Sequence, residues 1–424
     1  MIGYDEACQR ILALCEPLAP ERVPVANALR RVLAQDVLSC EDLPPFDNTA
    51  MDGFALASDG RELPPGREFA VAGSHAAGDR DADFGGACEI MTGASLPAGL
   101  DSVVPVEQAT MLARDGDGHA TAIRLDAAVT PGQHVRSRGQ DIAAGSKVLA
   151  AGTRVTPAAR MLLAALGVAD VAVRPQVAVA LLLTGRELVD DPRTPLAPGQ
   201  IRNSNGPFLS DRLDEAGAVV VHRETVADDA AGFVQALDRS LDAGAIVVVS
   251  TGAVSMGRHD FVPDALRGLG AQVVFHKVAI RPGKPLLFAR LPGGPLYFGL
   301  PGNPVSGAVG MRFFVEPALR ALLGLAPERP LRLPLAAPAR KKPGLRFLQK
   351  ARVVVDGQGR LQVRLLAGQE SFRIAPLLAA NAWAVLDEEA THLPAGALVE
   401  VRGLDGQGVL LRNCDDPMDI DDGY

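Results

Sequence analysis

The stretch Ala245–Phe261 holds the residues best placed to do chemistry. It opens as AIVVVS, a β-branched apolar run suited to a strand buried on both faces. It then becomes TGAVSMGRHDF, where Thr251, Gly252 and Ser255 offer hydroxyls and bare backbone N–H groups. A strand feeding a small-residue loop and then a helix can cradle phosphate. Glycine lets the backbone approach, and the amides point at the anion. No GK[ST] follows and GxGxxG is missing, so this is neither a Walker loop nor a dinucleotide fingerprint. An ordinary βα turn would look similar. Two more loops carry related residues: Thr184-Gly185-Arg186-Glu187 and Gly299-Leu300-Pro301-Gly302-Asn303-Pro304. Open α/β sheets bind ligands beyond the carboxyl ends of their strands, so the three loops are expected to gather at one rim as a pocket.

The elements that must position these loops alternate strand and helix from about 176 to 325. QVAVALLLTG (176–185) reads as a buried strand, and Ser204 or Asn205 can cap a helix from Pro207 to Ala216 that Gly217 ends. AVVVH (218–222) is the next strand. Asp228 or Asp229 then opens a helix with Phe233, Leu237 and Leu241 on one face. AQVVF (271–275), LLFARL and PLYFGL add strands, and a long helix runs from Pro304 or Val305 to about Leu323. Such βα repeats predict a doubly wound, mostly parallel sheet with helices on both faces. Upstream, residues 3–18 predict an amphipathic helix, and ALRRVLAQDV is expected to be partly helical. LPPFDNTAMDGFAL (43–56) cannot be a regular helix because of Pro44 and Pro45, so Asp47 and Asp52 sit on a constrained loop. From 60 to 150, short apolar pieces between Gly and Pro predict a β-rich insertion. Thr156 and Pro157 start a helix that stops at Gly167. Past 326, alternating runs around Asp356-Gly-Gln-Gly-Arg predict a hairpin in a small β-domain. The closing DDPMDIDDGY reads as a disordered acidic tail.

Bulk properties narrow the function classes. A chain of 424 residues suits about three domains. Aromatics make up only 4%, so Val, Leu and Ala must fill the cores. A formal net charge of −8 argues against a general nucleic-acid binder while leaving room for a local basic pocket. The five cysteines are scattered and form no CxxC, which indicates neither a zinc site nor a disulfide framework. No apolar run is long enough for a membrane span, and MIGYDEACQR lacks a signal pattern. A cytoplasmic location fits.

The motifs PPFDNTAMDGFAL, IMTGA, GQDI, LLLTGREL, RNSNG, VVSTGAVSMGRHDF, KVAIRPGKPLLF and GLPGNPVS occur in one order over residues 1–325. Together they resemble the molybdopterin molybdenumtransferase family, bacterial MoeA and the similar C-terminal region of gephyrin. The C-terminal part, with GQESFRI, is similar more loosely. The resemblance implies insertion of molybdate into adenylylated molybdopterin with release of AMP, assisted by Mg2+, in a homodimer. It implies a split N-terminal domain (1–42 and 143–175), an inserted β-rich domain (43–142) and an α/β molybdopterin-binding domain (176–325). A C-terminal β-barrel (326–412) and the acidic tail (413–424) would follow.

The family's active-site acids match Asp52, Glu187, Asp228 and Asp260, of which Asp52, Glu187 and Asp260 would bind the metal. Each has a structural alternative: a turn acid at Asp52 and Asp260, a first-turn helix acid at Glu187, and an N-cap at Asp228, where Asp229 fits equally well. Thr92 matches an active-site threonine, and Pro301 and Pro304 match a shape-giving loop. Lys277, Arg281 and Lys284 would meet oxyanions, with Lys350 and Ser371 aligned less closely and an exposed surface role as their alternative. The sequence departs from the family at Arg186, where an acid is common, and at Ala253, whose methyl is tolerable if φ is negative. His259 is given no catalytic role. Two other readings are an adenylyltransferase of the preceding step and a gephyrin-like scaffold, and tungstate could replace molybdate.

Overall fold

Alternation of apolar side chains along one strand decides the architecture of the larger part of the chain. In Val177–Thr184 (β1), Val179, Leu181 and Leu183 enter one core, while Ala180 and Leu182 enter another on the opposite face. A strand buried on both faces must lie inside a sheet that is covered on both sides. The computed structural model describes residues 1–80, 82–254, 261–406 and 408–409. Two compact units result, one from Met1–Glu21, Arg30–Val32 and Arg174–Tyr424, the other from Arg22–Leu29 and Leu33–Val173.

The first unit is built on a six-stranded sheet. Its strands are β1, Ala218–Val226 (β2), Val247–Thr251 (β3), Gln272–His276 (β4), Leu287–Arg290 (β5) and Leu296–Leu300 (β6), in the order β2-β1-β3-β6-β5-β4. The first four in that order are parallel; β5 runs antiparallel to β6, and β4 antiparallel to β5, so β5 alone is reversed. The mostly parallel sheet is thus mixed by one reversed strand, because the tight Gly293-Gly294 turn between β5 and β6 permits only an antiparallel return. Leu209 and Leu213 of the helix Asn205–Ala216 (α1) cover one face; Phe233, Ala236 and Leu237 of Ala230–Asp242 (α2) cover the other, joined by Leu266 of Val262–Gly268 (α3). Gly217, at φ 92°, ends α1 as its position suggested.

The long helix predicted from residue 304 is one helical run in three parts: Pro304–Gly310 (α4), a π segment Met311–Val315, and Glu316–Leu322 (α5). The predicted N-terminal helix is shorter than 3–18 and spans Tyr4–Leu12. In the C-terminal part, Arg346–Val355 and Leu361–Leu365 form the expected hairpin. The strands there do not close into the expected barrel among the described residues. They form an open mixed path through Ile280–Arg281, Arg346–Val355, Ala382–Leu386, Leu398–Gly403 and Leu331–Pro334. Leu361–Leu365 pairs with Arg346–Val355 off this path, and an isolated bridge joins its Val363 to Leu335. Pro334, with no N–H to give, ends the last strand there.

The second unit is β-rich. Gly53–Leu56 lies between Ala87–Ile90 and Ser102–Pro105, and Glu68–Ala70, Ala109–Arg114 and Ala120–Leu125 make a separate sheet. Thr156 caps the helix Pro157–Ala165 by accepting the Ala159 N–H at 3.2 Å. ALRRVLAQDV is not helical: Val37–Leu38 pairs with Lys147–Leu149, and Arg30 sits at φ 66°, which a helix cannot contain. Strand pairing of its β-branched residues overrides local propensity. No described helix is long and apolar enough to cross a membrane.

Candidate functional site

The parallel register puts four strand ends side by side. Leu183 lies opposite Thr251, Thr251 opposite Leu300, and Thr184 opposite Val226. The three loops expected at one rim therefore start at one rim, the middle one described as far as Val254. They are also bonded to one another. Thr184 Oγ1 donates to the Thr251 carbonyl at 2.8 Å, and the Gly252 N–H donates to the Leu300 carbonyl at 3.0 Å. The Arg186 N–H donates to Asp228 Oδ2 at 3.3 Å. A Cβ on Gly252 would stand 2.5 Å from Thr184 Oγ1, and its φ is 86°, so only glycine fits. Glu187 folds back over this rim; its carboxylate lies 2.9 Å from where a Cβ on Gly185 would be.

A cavity of about 850 Å³ adjoins the rim through the Gly299–Pro304 loop, because Pro301 and Asn303 line it. Arg281, Lys284, Arg340, Lys341 and Lys342 face it, against the single acid Glu370. Ile280–Arg281 pairs with Arg346–Phe347, which brings the Arg281 guanidinium over the Phe347 ring at 5.4 Å. Lys341 is committed elsewhere: its ammonium donates to the Leu345 and Glu388 carbonyls at 3.0 and 2.8 Å. The remaining four cations are exposed. A cleft with this charge in an acidic chain suits small oxyanions.

In the other unit, Asp52 and Thr92 form a clamp. Asp52 Oδ1 accepts the Thr92 N–H at 2.6 Å and the Thr92 hydroxyl at 2.7 Å. These bonds hold the Asp52 carboxyl below its usual range, the backbone bond contributing most.

Three family comparisons cover these same segments. The MoeA N-terminal region (domain I and II) matches residues 2–167, the "Probable molybdopterin binding domain" matches 180–321, and the MoeA C-terminal region (domain IV) matches 332–404. The molybdopterin molybdenumtransferase of Synechococcus elongatus is 40% identical over 414 residues, covering 95% of this chain and 100% of that protein. The chain belongs to the molybdopterin molybdenumtransferase family. It is thus a transferase of molybdenum cofactor biosynthesis. Molybdopterin molybdenumtransferase 2 of Mycobacterium tuberculosis is 38% identical over 421 residues, covering 94% of this chain and 98% of that one. The crystal structure of the molybdopterin biosynthesis moeA protein from Pyrococcus horikoshii OT3 superimposes with a TM-score of 0.76 at 25% identity, covering 95% of this chain and 99% of that one.

In this member of the family the structure separates the candidates raised by the sequence. Asp229 is the N-cap of α2, accepting the Gly232 N–H at 2.6 Å, while Asp228 faces the Arg186 backbone at the rim. Glu187 is not a first-turn helix acid, because Leu188–Val189 continues as a strand paired with Ile201–Arg202. Arg281, Lys284, Pro301 and Ser371 line the cavity; Lys277 does not, and its backbone is spent on Leu286 and Ile2. Pro304 is the first residue of α4, and the Thr251 side chain is buried. Lys350 is neither exposed nor in the cavity lining. Phe347, Leu348 and Gln349 of the same strand line the cavity, whereas Lys350 is 0% exposed, with burial pushing its ammonium down to about 8. Ala253 sits at φ 51°, not at a negative φ. Ser255, His259, Asp260 and the 413–424 tail lie outside the described residues.

Sequence reasoning passed over two groups. Asn205, in RNSNG, donates from Nδ2 to the Gly302 carbonyl at 2.8 Å and so fixes the loop shared by rim and cavity. Arg340 and Lys342 belong to a basic run that carries no motif of its own. The motif containing Asn205 was visible; the role was not, since its partner is 97 residues away.

Proposed function

We propose that this transferase inserts molybdate into adenylylated molybdopterin and releases AMP as the phosphoanhydride is cleaved. The observation carrying the reading is the Gly299–Pro304 loop, which is wall to both the small-residue rim and the basic cavity. A substrate whose phosphates rest against the rim amides would reach an oxyanion held by Arg281, Lys284, Arg340 and Ser371. Gly252 keeps the rim open to a close backbone approach, and Asn205 stiffens the shared loop.

Among the described residues no three acidic, histidine or cysteine side chains converge on one point. The Mg2+ expected from the family resemblance takes one or two carboxylates and completes its shell with phosphate oxygens and water. Glu187 and Asp228 are the described rim carboxylates that fit it; when bound, the ion would neutralise charge on the phosphoanhydride. The same resemblance supports a homodimer working in the cytoplasm.

The test is turnover of adenylylated molybdopterin with molybdate and Mg2+, scored by AMP release and by molybdenum retained on the pterin. The wild-type chain is expected to do both. Arg281→Ala with Lys284→Ala is expected to raise the molybdate requirement at least about tenfold. Adenylylation of free molybdopterin from ATP, or no turnover by a folded wild-type chain, would overturn the reading in favour of an adenylyltransferase or a scaffold.

A further inference from the structure

Lys350 is the one described lysine whose side chain is wholly buried, at 0% exposure, and it stands immediately behind the basic cavity. Its strand neighbour Gln349 faces that cavity. A buried ammonium has to be repaid by acceptors. Lys350 Nζ donates to the Gly368 carbonyl at 2.7 Å, the Arg373 carbonyl at 3.0 Å and the Glu370 carbonyl at 3.4 Å. All three donors of one ammonium are thus spent on a single six-residue loop, 368–373. The same strand grips the loop a second way. The Lys350 N–H donates to Gln369 Oε1 at 3.0 Å, and Gln369 Nε2 donates back to the Lys350 carbonyl at 2.8 Å.

This loop is a working part of the cavity. Gln369, Glu370, Ser371 and Phe372 all line it. The Ser371 carbonyl accepts the Val305 N–H at 3.0 Å, which fastens the loop to the first turn of α4 beside Pro301 and Asn303. Val305 is in the first turn, where an amide has no partner inside its own helix. The loop therefore runs between two anchors, the Lys350 ammonium behind and the start of α4 in front, with Ser371 held between them.

We propose that Lys350 is a positioning residue that fixes the 368–373 loop and so sets the Ser371 hydroxyl at the oxyanion cavity. It touches no substrate; it acts through Ser371. The proposal rests on the oxyanion reading of the cavity, but its geometry does not depend on which anion enters. A lysine suits the task because three donors on one small head can satisfy three carbonyls of a tight loop, which no neutral side chain of similar length can do.

Two measurements on the full chain test it. The first ignores the anion: hydrogen exchange at the Val305 and Arg373 amides in Lys350→Met, whose side chain has similar length and no donor. Exchange there is expected to accelerate at least about tenfold while the amides of β1 and β3 stay protected. Unchanged exchange at Val305 and Arg373 overturns the proposal, and if Lys350→Met does not fold, Lys350→Gln, with two N–H donors in place of three, is measured instead. The second is a double-mutant cycle by calorimetric titration of molybdate. Ser371→Ala and Lys350→Met are each expected to weaken binding about tenfold, and the double variant no more than Lys350→Met alone. Additive losses would show that Lys350 acts on stability without acting through Ser371, and would overturn the proposal. A wild-type chain that ignores molybdate would refute the function proposed above, and the exchange measurement would then decide the role of Lys350 by itself.

Discussion

A carboxylate can be tuned by two bonds to one neighbour. Asp52 takes both from Thr92, and they stabilise its ionised form. Its folded pKa lies below the ordinary 3.8, so the clamp contributes above that value and is lost as pH falls through the lowered one. The Thr92 amide proton is therefore expected to titrate with a midpoint below 3.8, and Thr92→Val should move the Asp52 midpoint back toward it; NMR titration checks both. Asp52→Ala is expected to abolish AMP release with the circular dichroism spectrum unchanged, since the side chain is exposed and no core depends on it. Ala253 is a different case. It holds φ 51°, where a methyl is strained and glycine is not. Ala253→Gly should raise stability by about 1 kcal/mol in urea unfolding, as relief of left-handed strain outweighs the added freedom of the unfolded chain.

Elements show why parts of this site could be read from the sequence and parts could not. The MDG motif places Asp52 one residue before a strand that is paired on both sides. Gly53 reads as a turn former, but a Cβ there would stand 1.9 Å from the Val104 carbonyl oxygen. Gly53→Ala is expected to cost about 3 kcal/mol or more, because backbone on an inner strand cannot step aside; the denaturation midpoint measures it. The glycine is structural while its neighbour Asp52 is a candidate for the chemistry, and one sequence cannot tell the two apart. The rim was legible since parallel strands must end together, and three loops of like chemistry followed three such strands. For Lys350 the exposed surface role that its position also allowed does not hold, because the side chain is 0% exposed. Its burial depends on the 368–373 loop, whose carbonyls close over the ammonium from about 20 residues further along the chain. The cavity was not legible as a whole, since Arg281, Arg340 and Ser371 come from separate segments that meet only after the C-terminal strands pair with Ile280–Arg281. The π segment at Met311–Val315 leaves no mark in the apolar spacing, which fits one continuous helix.

At the scale of the larger unit, one buried charge network joins the helical run, the linker after it and the C-terminal strands. Arg312, 2% exposed, donates to the Gly403 carbonyl at 2.9 Å and to both oxygens of Glu328 at 2.6 and 2.7 Å. Its Nη1 lies 3.6 Å from Glu316 Oε2, and neither atom has a hydrogen-bond partner. Glu316, also 2% exposed, is bonded on its other oxygen by Arg212 of α1. Two arginines therefore do not fully offset its burial, and the carboxyl is pushed up from 4.5 to about 7. An acid that binds its proton more tightly folded than unfolded makes the native state hold more protons between those values. Its contribution to stability is complete below pH 4.5 and is lost as pH rises through about 7. Glu316→Gln keeps an acceptor for Arg212 and cannot ionise, so its urea midpoint should stay flatter across that window than the wild type's. Arg312→Met leaves Glu316 and Glu328 buried with less compensation and should cost about 3–5 kcal/mol. Unfolding followed at pH 4.5, 5.5, 6.5 and 7.5 separates the two effects: if Glu316→Gln tracks the wild type across all four, the slope belongs to other groups, and the network acts through fixed charge alone.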